Sequence, residues 1–169
     1  MPTPQSTGLL EFTEGRYPAA HLSLQKALAL AETLGDAPSL ALTERNLANL
    51  YGRQQNIPQA QIHADRALEH YQRTGDRYGL AIMLGSLASI YLDNRQFAQA
   101  AKLAAQALEG SKAFPYFAAI AATNLAEALF ELGELERAQK HAYDALHLRR
   151  TPTFPLRPLH PGAHQTPTK

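Results

Sequence analysis

Cysteine and valine are both missing from the 169 residues, and isoleucine occurs only five times. Without cysteine there is no disulfide, no thiolate nucleophile and no cysteine-bound metal, although the compartment is left open. Strands draw on β-branched and aromatic side chains, so their scarcity excludes a β-rich fold. Neither sign of charge dominates. The 16 basic and 15 acidic residues leave a formal net charge of +1, which gives no general pull toward nucleic acid or anionic lipid. The longest apolar run, Phe117 to Ala122, falls far short of the roughly 20 residues that a membrane-spanning helix needs. The start, Met1-Pro-Thr-Pro-Gln-Ser6, has neither the basic stretch nor the apolar core of a secretory leader. These absences point to a soluble chain in the cytoplasm.

What is present is helix-forming. Alanine supplies 30 residues and leucine 26, and both stand at the favourable end of the helix scale. With 45% hydrophobic and 18% charged residues, the chain can bury a core of about one domain. The order of these residues repeats. Ala60, Ala64, Ala67 and Leu68 return forty positions on as Ala100, Ala104, Ala107 and Leu108. Tyr17, Ala20, Ala27 and Leu28 lie forty positions earlier, and Leu135, Ala138, Ala142, Ala145 and Leu146 continue the pattern after thirty-eight. A second anchor moves in step: Leu47-Ala48 with Tyr51, Leu87-Ala88 with Tyr91, and Leu125-Ala126 with Leu129.

Each unit reads as two helices. Asp36 and Asp76 are placed to cap the first helix, and Gly35 and Gly75 to end the preceding one in the left-handed conformation. Pro18, Pro38, Pro58 and Pro115 fall in first turns, where a missing N–H costs nothing. The alanines of the second helix form a narrow small-residue stripe that admits a close neighbour. Neither helix can bury its stripe alone, so successive units must stack.

The Leu-Ala, Tyr and paired-alanine anchors resemble the tetratricopeptide repeat pattern, with the forty-residue period of its long-helix variety, seen in kinesin light chains and bacterial signalling regulators. The resemblance covers about residues 8–150. It departs at the early tryptophan position, which holds Glu44, Leu84 and Ala122, and at the second-helix aromatic, which is Ala64, Ala104 and Ala142. It implies an all-α superhelix of three full units after a truncated one, with units at about 8–35, 36–75, 76–113 and 114–150. Residues 1–7 are expected to be a flexible start with only a helical stub around Leu9–Thr13, and 151–169 a disordered proline-rich tail.

The resemblance also implies a non-catalytic interaction module, in which first helices line a concave peptide groove. Transferring the groove positions gives Leu42, Arg45, Asn49 and Arg53, then Ile82, Gly85, Ser89 and Asp93, then Ile120, Thr123, Glu127, Phe130 and Glu131. Asn46 and Asn124 resemble the asparagines that hold extended peptide backbones in long-helix arrays. Arg45, Asn49 and Arg53 share one helical stripe, and an arginine fork with an amide can hold a carboxylate or a peptide backbone. The competing explanation is that any first helix turns a polar face to water. The carboxylate clamp of chaperone-binding relatives is incomplete, because its later positions hold Ser86, Ile120 and Asn124.

Catalytic patterns are missing: there is no phosphate loop, nucleophile elbow or His-Glu-x-x-His stretch. No cofactor or metal is expected. His63 and His141 share a repeat position that reads as the outward, solvated side of second helices, and Glu127 with Glu131 reads as surface charge. The partner is expected to be a protein or peptide. Self-association, or a regulatory role in a larger assembly, through the uncapped last helix is the alternative, and nucleic acid is disfavoured because residues 1–150 carry 14 basic against 15 acidic residues, a net of −1. In the tail, Arg149-Arg-Thr-Pro152-Thr-Phe-Pro155 also fits a short polyproline-recognition pattern.

Overall fold

A computed structural model describes residues 3–150, which form eight α-helices and no strand. They are α1 (Pro4–Thr13), α2 (Tyr17–Leu34), α3 (Ala37–Arg53), α4 (Ile57–Thr74), α5 (Arg77–Asp93), α6 (Phe97–Gly110), α7 (Pro115–Glu131) and α8 (Leu135–Arg150). The stretch 151–169, with its polyproline-like pattern, lies outside the described residues.

The helix ends follow from local chemistry. The Asp36 and Asp76 carboxylates accept from the backbone N–H groups of Ser39 and Gly79, and Asn56 caps α4 in the same way. Gly35 and Gly75 are left-handed at the ends of α2 and α4. The short turn inside each unit also needs one left-handed residue. Gly15 and Gly133 supply it in the outer units, whereas Gln55 and Arg95 adopt it with a Cβ in the middle two.

The sequence suggests a free stretch over 1–7 and a stub near Leu9–Thr13; the structure corrects this from Pro4 onward, while residues 1–2 lie outside the described residues. The first helix starts at Pro4, because Thr3 caps it through the Ser6 N–H and Pro4 tolerates the first turn. Gln5 also donates to the Thr43 hydroxyl of α3 at 3.1 Å, which ties the short helix to its neighbour.

Helices pair within units (α1–α2, α3–α4, α5–α6, α7–α8), and each second helix packs on the following first helix. The first helices also touch one another, α1 on α3, α3 on α5 and α5 on α7, whereas the second helices make no such contacts. A row that touches is shorter than a row that does not, so the array curves with its first helices on the inner side. The alanine stripe explains the close pairing: Ala20, Ala60, Ala64, Ala67, Ala100, Ala104 and Ala107 are all buried. One core cluster runs from Ala41 to Ala138 through Met83, Leu87 and Leu125, and a second holds Ala20, Leu24, Leu47 and Leu50.

Between units, one polar pin recurs. His21 Nε2 lies 2.7 Å from the Tyr51 hydroxyl, and forty residues on the Tyr91 hydroxyl donates to Gln61 Oε1 at 2.6 Å. Burial raises the Tyr91 hydroxyl above its ordinary pKa, with Asp65 adding to the effect. At the third junction the equivalent residues are Ala101 and Leu129, so the pin is replaced by apolar contact.

His63 and His141 are not the solvated residues that their spacing suggests. Glu44 stands where the family carries its large aromatic and is buried. Such a carboxylate demands partners, and His63 Nδ1 approaches it at 2.5 Å and Arg66 at 3.6 Å. The His63 ring stacks on Tyr51, with centroids 5.2 Å apart. In the next unit the equivalent pair is Leu84 and Leu103. In the last it is Ala122 and His141, and His141 has kept the ring but lost the partner. Its Nδ1 is buried without a hydrogen bond, 3.7 Å from Asp144. Burial lowers its pKa, and Asp144 offsets part of that.

Candidate functional site

The inner face is built by α3, α5 and α7, and two clefts open between them. The first lies between α3 and α5, measures about 220 Å³, and is lined by Asn49, Gly52 and Arg53 on one side and Ser86, Ser89, Ile90 and Asp93 on the other, with Phe12 at its end. The second lies between α5 and α7, measures about 210 Å³, and is lined by Ala81, Ile82, Gly85, Ser86 and Ser89 against Phe117, Ile120, Ala121 and Asn124. Ser86 and Ser89 belong to both, so the clefts form one groove with a charged half and an apolar half.

The expected residues divide accordingly. Asn49, Arg53, Ser89 and Asp93 come together in the first cleft, and Ile82, Gly85, Ser89 and Asn124 in the second. Arg53 and Asp93 share a cleft, yet neither takes part in any ion pair among the described residues. The helix repeat brings Arg53 one turn beyond Asn49 on the same stripe, which puts a fork and an amide side by side.

Other residues stand apart. Arg45 is directed to the hydroxyl of Tyr71, which is buried and held above its usual pKa chiefly by that burial, with the Arg45 charge pulling it back. Asn46 is buried and lines neither cleft. The Asn124 amide is committed, donating at 3.2 Å to the Gly85 carbonyl across the helix pair. Glu127 and Glu131 lie exposed on α7 and line neither cleft. Phe130 is 61% exposed and likewise outside both. Thr123 borders a third cleft of about 290 Å³ at the C-terminal end, with Ala126, Ala142, Ala145, Leu146 and Arg149.

Lining residues missed from the sequence include Phe117, Phe12 and Ile90, while Ser86 entered only as a position of the incomplete clamp. Phe117 could have been found by aligning it with Gly79, thirty-eight positions earlier. At the α4–α5 junction Gly79 makes room for the Tyr71 ring; the equivalent residues of the next unit are Phe117 and Ser111. Phe117 packs edge-on to Tyr78 and Tyr116 at centroid distances of 5.1 Å. No group of histidine, aspartate or glutamate side chains among the described residues is arranged to hold a metal.

A family model described as Tetratricopeptide repeat matches residues 39–113, and a second of the same description matches 119–151. Together they span well over half of the chain. No curated protein matches the sequence. Among solved structures, the crystal structure of BtubC (BKLC) from P. vanneervenii is similar with a TM-score of 0.79 at 18% identity, covering 98% of this chain and 68% of that one. That likeness is one of fold.

Proposed function

Because the chain belongs to the tetratricopeptide repeat family, whose members generally mediate protein–protein interaction, we propose that it binds a partner peptide in the groove between α3, α5 and α7, without catalysis. The observation that carries this reading is the continuity of the two clefts through Ser86 and Ser89, with Arg53, in no ion pair among the described residues, at one end. An extended chain laid across the first helices meets Asn49, Arg53 and Asp93 as polar partners, then an apolar trough. The face has too little positive charge for nucleic acid: Arg53 is set against Asp93, and Glu127 and Glu131 lie beyond. No helix among the described residues is long and apolar enough to cross a membrane. We place the protein in the cytoplasm.

The test is affinity capture from source-cell extract with the native chain and with an Asn49→Ala, Arg53→Glu variant of unchanged helicity. A protein retained by the native chain and lost by the variant supports the groove. Equal capture by both removes it.

The C-terminal end favours a second reading, in which copies of the chain associate. There Tyr143 and Leu146 are exposed beside the cleft between α7 and α8. Analytical ultracentrifugation decides this: a mass that rises with concentration supports association, and a constant monomer mass excludes it.

A further inference from the structure

We propose that the cleft over Gly85 is the specificity pocket of the groove. It accepts one aliphatic side chain of an extended peptide, while an acidic residue of that peptide faces Arg53. This rests on the reading of the inner face as a peptide groove.

Gly85 is a helical glycine that neither a close contact nor a turn requires. Inside a helix, glycine is less favourable than alanine because its freer backbone loses more entropy on folding. The other glycines within α1, α3 and α5 have a steric reason. A Cβ at Gly8 would meet Leu24 at 2.9 Å, one at Gly52 would meet Ile90 at 2.6 Å, and one at Gly79 would meet Tyr71 at 2.3 Å. A Cβ at Gly85 would meet nothing nearer than Ala107 at 3.9 Å. Its backbone is not left-handed, so no turn requires it. The equivalent positions hold Arg45 and Thr123, so the repeat itself does not call for glycine here. The equivalent Arg45 carries a long side chain that reaches Tyr71. Gly85 presents no side chain at this position and lines the cleft between α5 and α7.

The walls define the occupant. Ile82, Phe117, Ile120, Ala81 and Ala121 are apolar, and Ser86, Ser89 and Asn124 rim them. A cavity of roughly 150 Å³ lined by apolar side chains holds a benzene ring, so this open cleft of about 210 Å³ has room for one leucine, isoleucine or methionine side chain. The adjoining cleft supplies the charge rule. Arg53 with Asn49 on the α3 side suits a carboxylate, and Asp93 opposite repels one and accepts from a peptide N–H.

The probe is a random twelve-residue peptide library displayed on phage and selected on the full chain. The enriched peptides are then synthesised, and their binding is measured by fluorescence anisotropy. Selection is expected to fix one aliphatic position with an acidic residue nearby. Gly85→Leu, which fills the cleft from within and improves helix propensity, should weaken binding at least tenfold without lowering the melting temperature. Gly85→Ala should weaken it less, and Arg53→Glu should weaken it comparably to Gly85→Leu. Peptides that lose affinity for Arg53→Glu but bind Gly85→Leu unchanged would overturn the pocket and leave the groove standing. Peptides indifferent to both variants, or no enrichment at all, would overturn both.

Discussion

Replacing glycine by alanine at two places on the same face should stabilise the chain at one and not at the other. Gly52, in the last turn of α3, and Gly85, in the middle of α5, both have non-left-handed backbones, so alanine gains a helix term at each, up to about 1 kcal/mol. They differ in what the new methyl meets. At Gly52 it would lie 2.6 Å from Ile90 Cγ1 and 2.7 Å from Cδ1, and Ile90 is buried where α3 packs on α5. Cγ1 sits next to the backbone of α5, so a rotation of the side-chain tip does not relieve the clash, and overpacking of this kind costs about 1–3 kcal/mol. At Gly85 the nearest atom is 3.9 Å away. Gly85→Ala is therefore expected to stabilise by about 1 kcal/mol. Gly52→Ala should end neutral to about 2 kcal/mol destabilised once the helix term is subtracted. Because a helix term of the same sign enters both, the difference is set mainly by the steric contribution, about 2 kcal/mol or roughly 4–8 °C for a chain of this size. Urea denaturation followed by far-ultraviolet circular dichroism reads it directly. Equal shifts for the two variants would refute the reasoning, since packing at Gly52 would then be irrelevant.

Removing His63 leaves the buried Glu44 carboxylate with only Arg66 at 3.6 Å, so His63→Ala should cost about 3 kcal/mol. Glu44→Leu with His63→Leu, which copies Leu84 and Leu103 of the next unit, should recover most of that in the same denaturation assay. His141 contributes a pH dependence. Its folded pKa lies below the ordinary 6.5, so the unfolded chain takes up the proton first as pH falls. Its contribution is present above about pH 6.5 and is lost as pH drops through that value toward the folded pKa. Melting temperatures from pH 8 to pH 5 should fall more steeply for the native chain than for His141→Gln, and parallel slopes would count against it. In the turns, Gln55→Gly and Arg95→Gly should each stabilise by up to about 1 kcal/mol, and Gly133→Ala should destabilise by a similar amount, because an L side chain is strained in the left-handed region. Thermal melts of the three variants check this.

The repeat was legible because its anchors are steric. A second helix that must approach closely needs alanine at the contact, so Ala60, Ala64 and Ala67 announce the fold through their spacing. Capping is local chemistry, and Asp36, Asp76, Gly35 and Gly75 behave as their types dictate. The start of α1 was obscured by Pro4 and Gly8. The first is tolerated in an opening turn, and the second lets α1 approach Leu24. The histidines misled because an outward-looking spacing says nothing about a carboxylate buried nineteen positions away. For the groove, the family resemblance assigned Asn49, Arg53, Ile82, Gly85 and Ser89 to the inner face. It could not reveal that Arg45 turns to Tyr71 or that Asn124 spends its amide on Gly85, since those partners come from other helices.

The fading of the inter-unit pins has a mechanical meaning. At the first two junctions the Tyr51 and Tyr91 hydroxyls clamp each first helix to the second helix before it, with donors and acceptors that fix direction as well as distance. The third joint replaces that clamp with Ala101 and Leu129, both in the apolar core, and keeps a directional tie on the inner rim, from Asn124 to the Gly85 carbonyl. It is also the most broadly packed joint, with α5 and α6 both lying against α7. The array is thus riveted by single polar bonds at its first two joints and glued by surface at its last, so the floor of the trough beside Gly85 is held by packing as well as by one hydrogen bond.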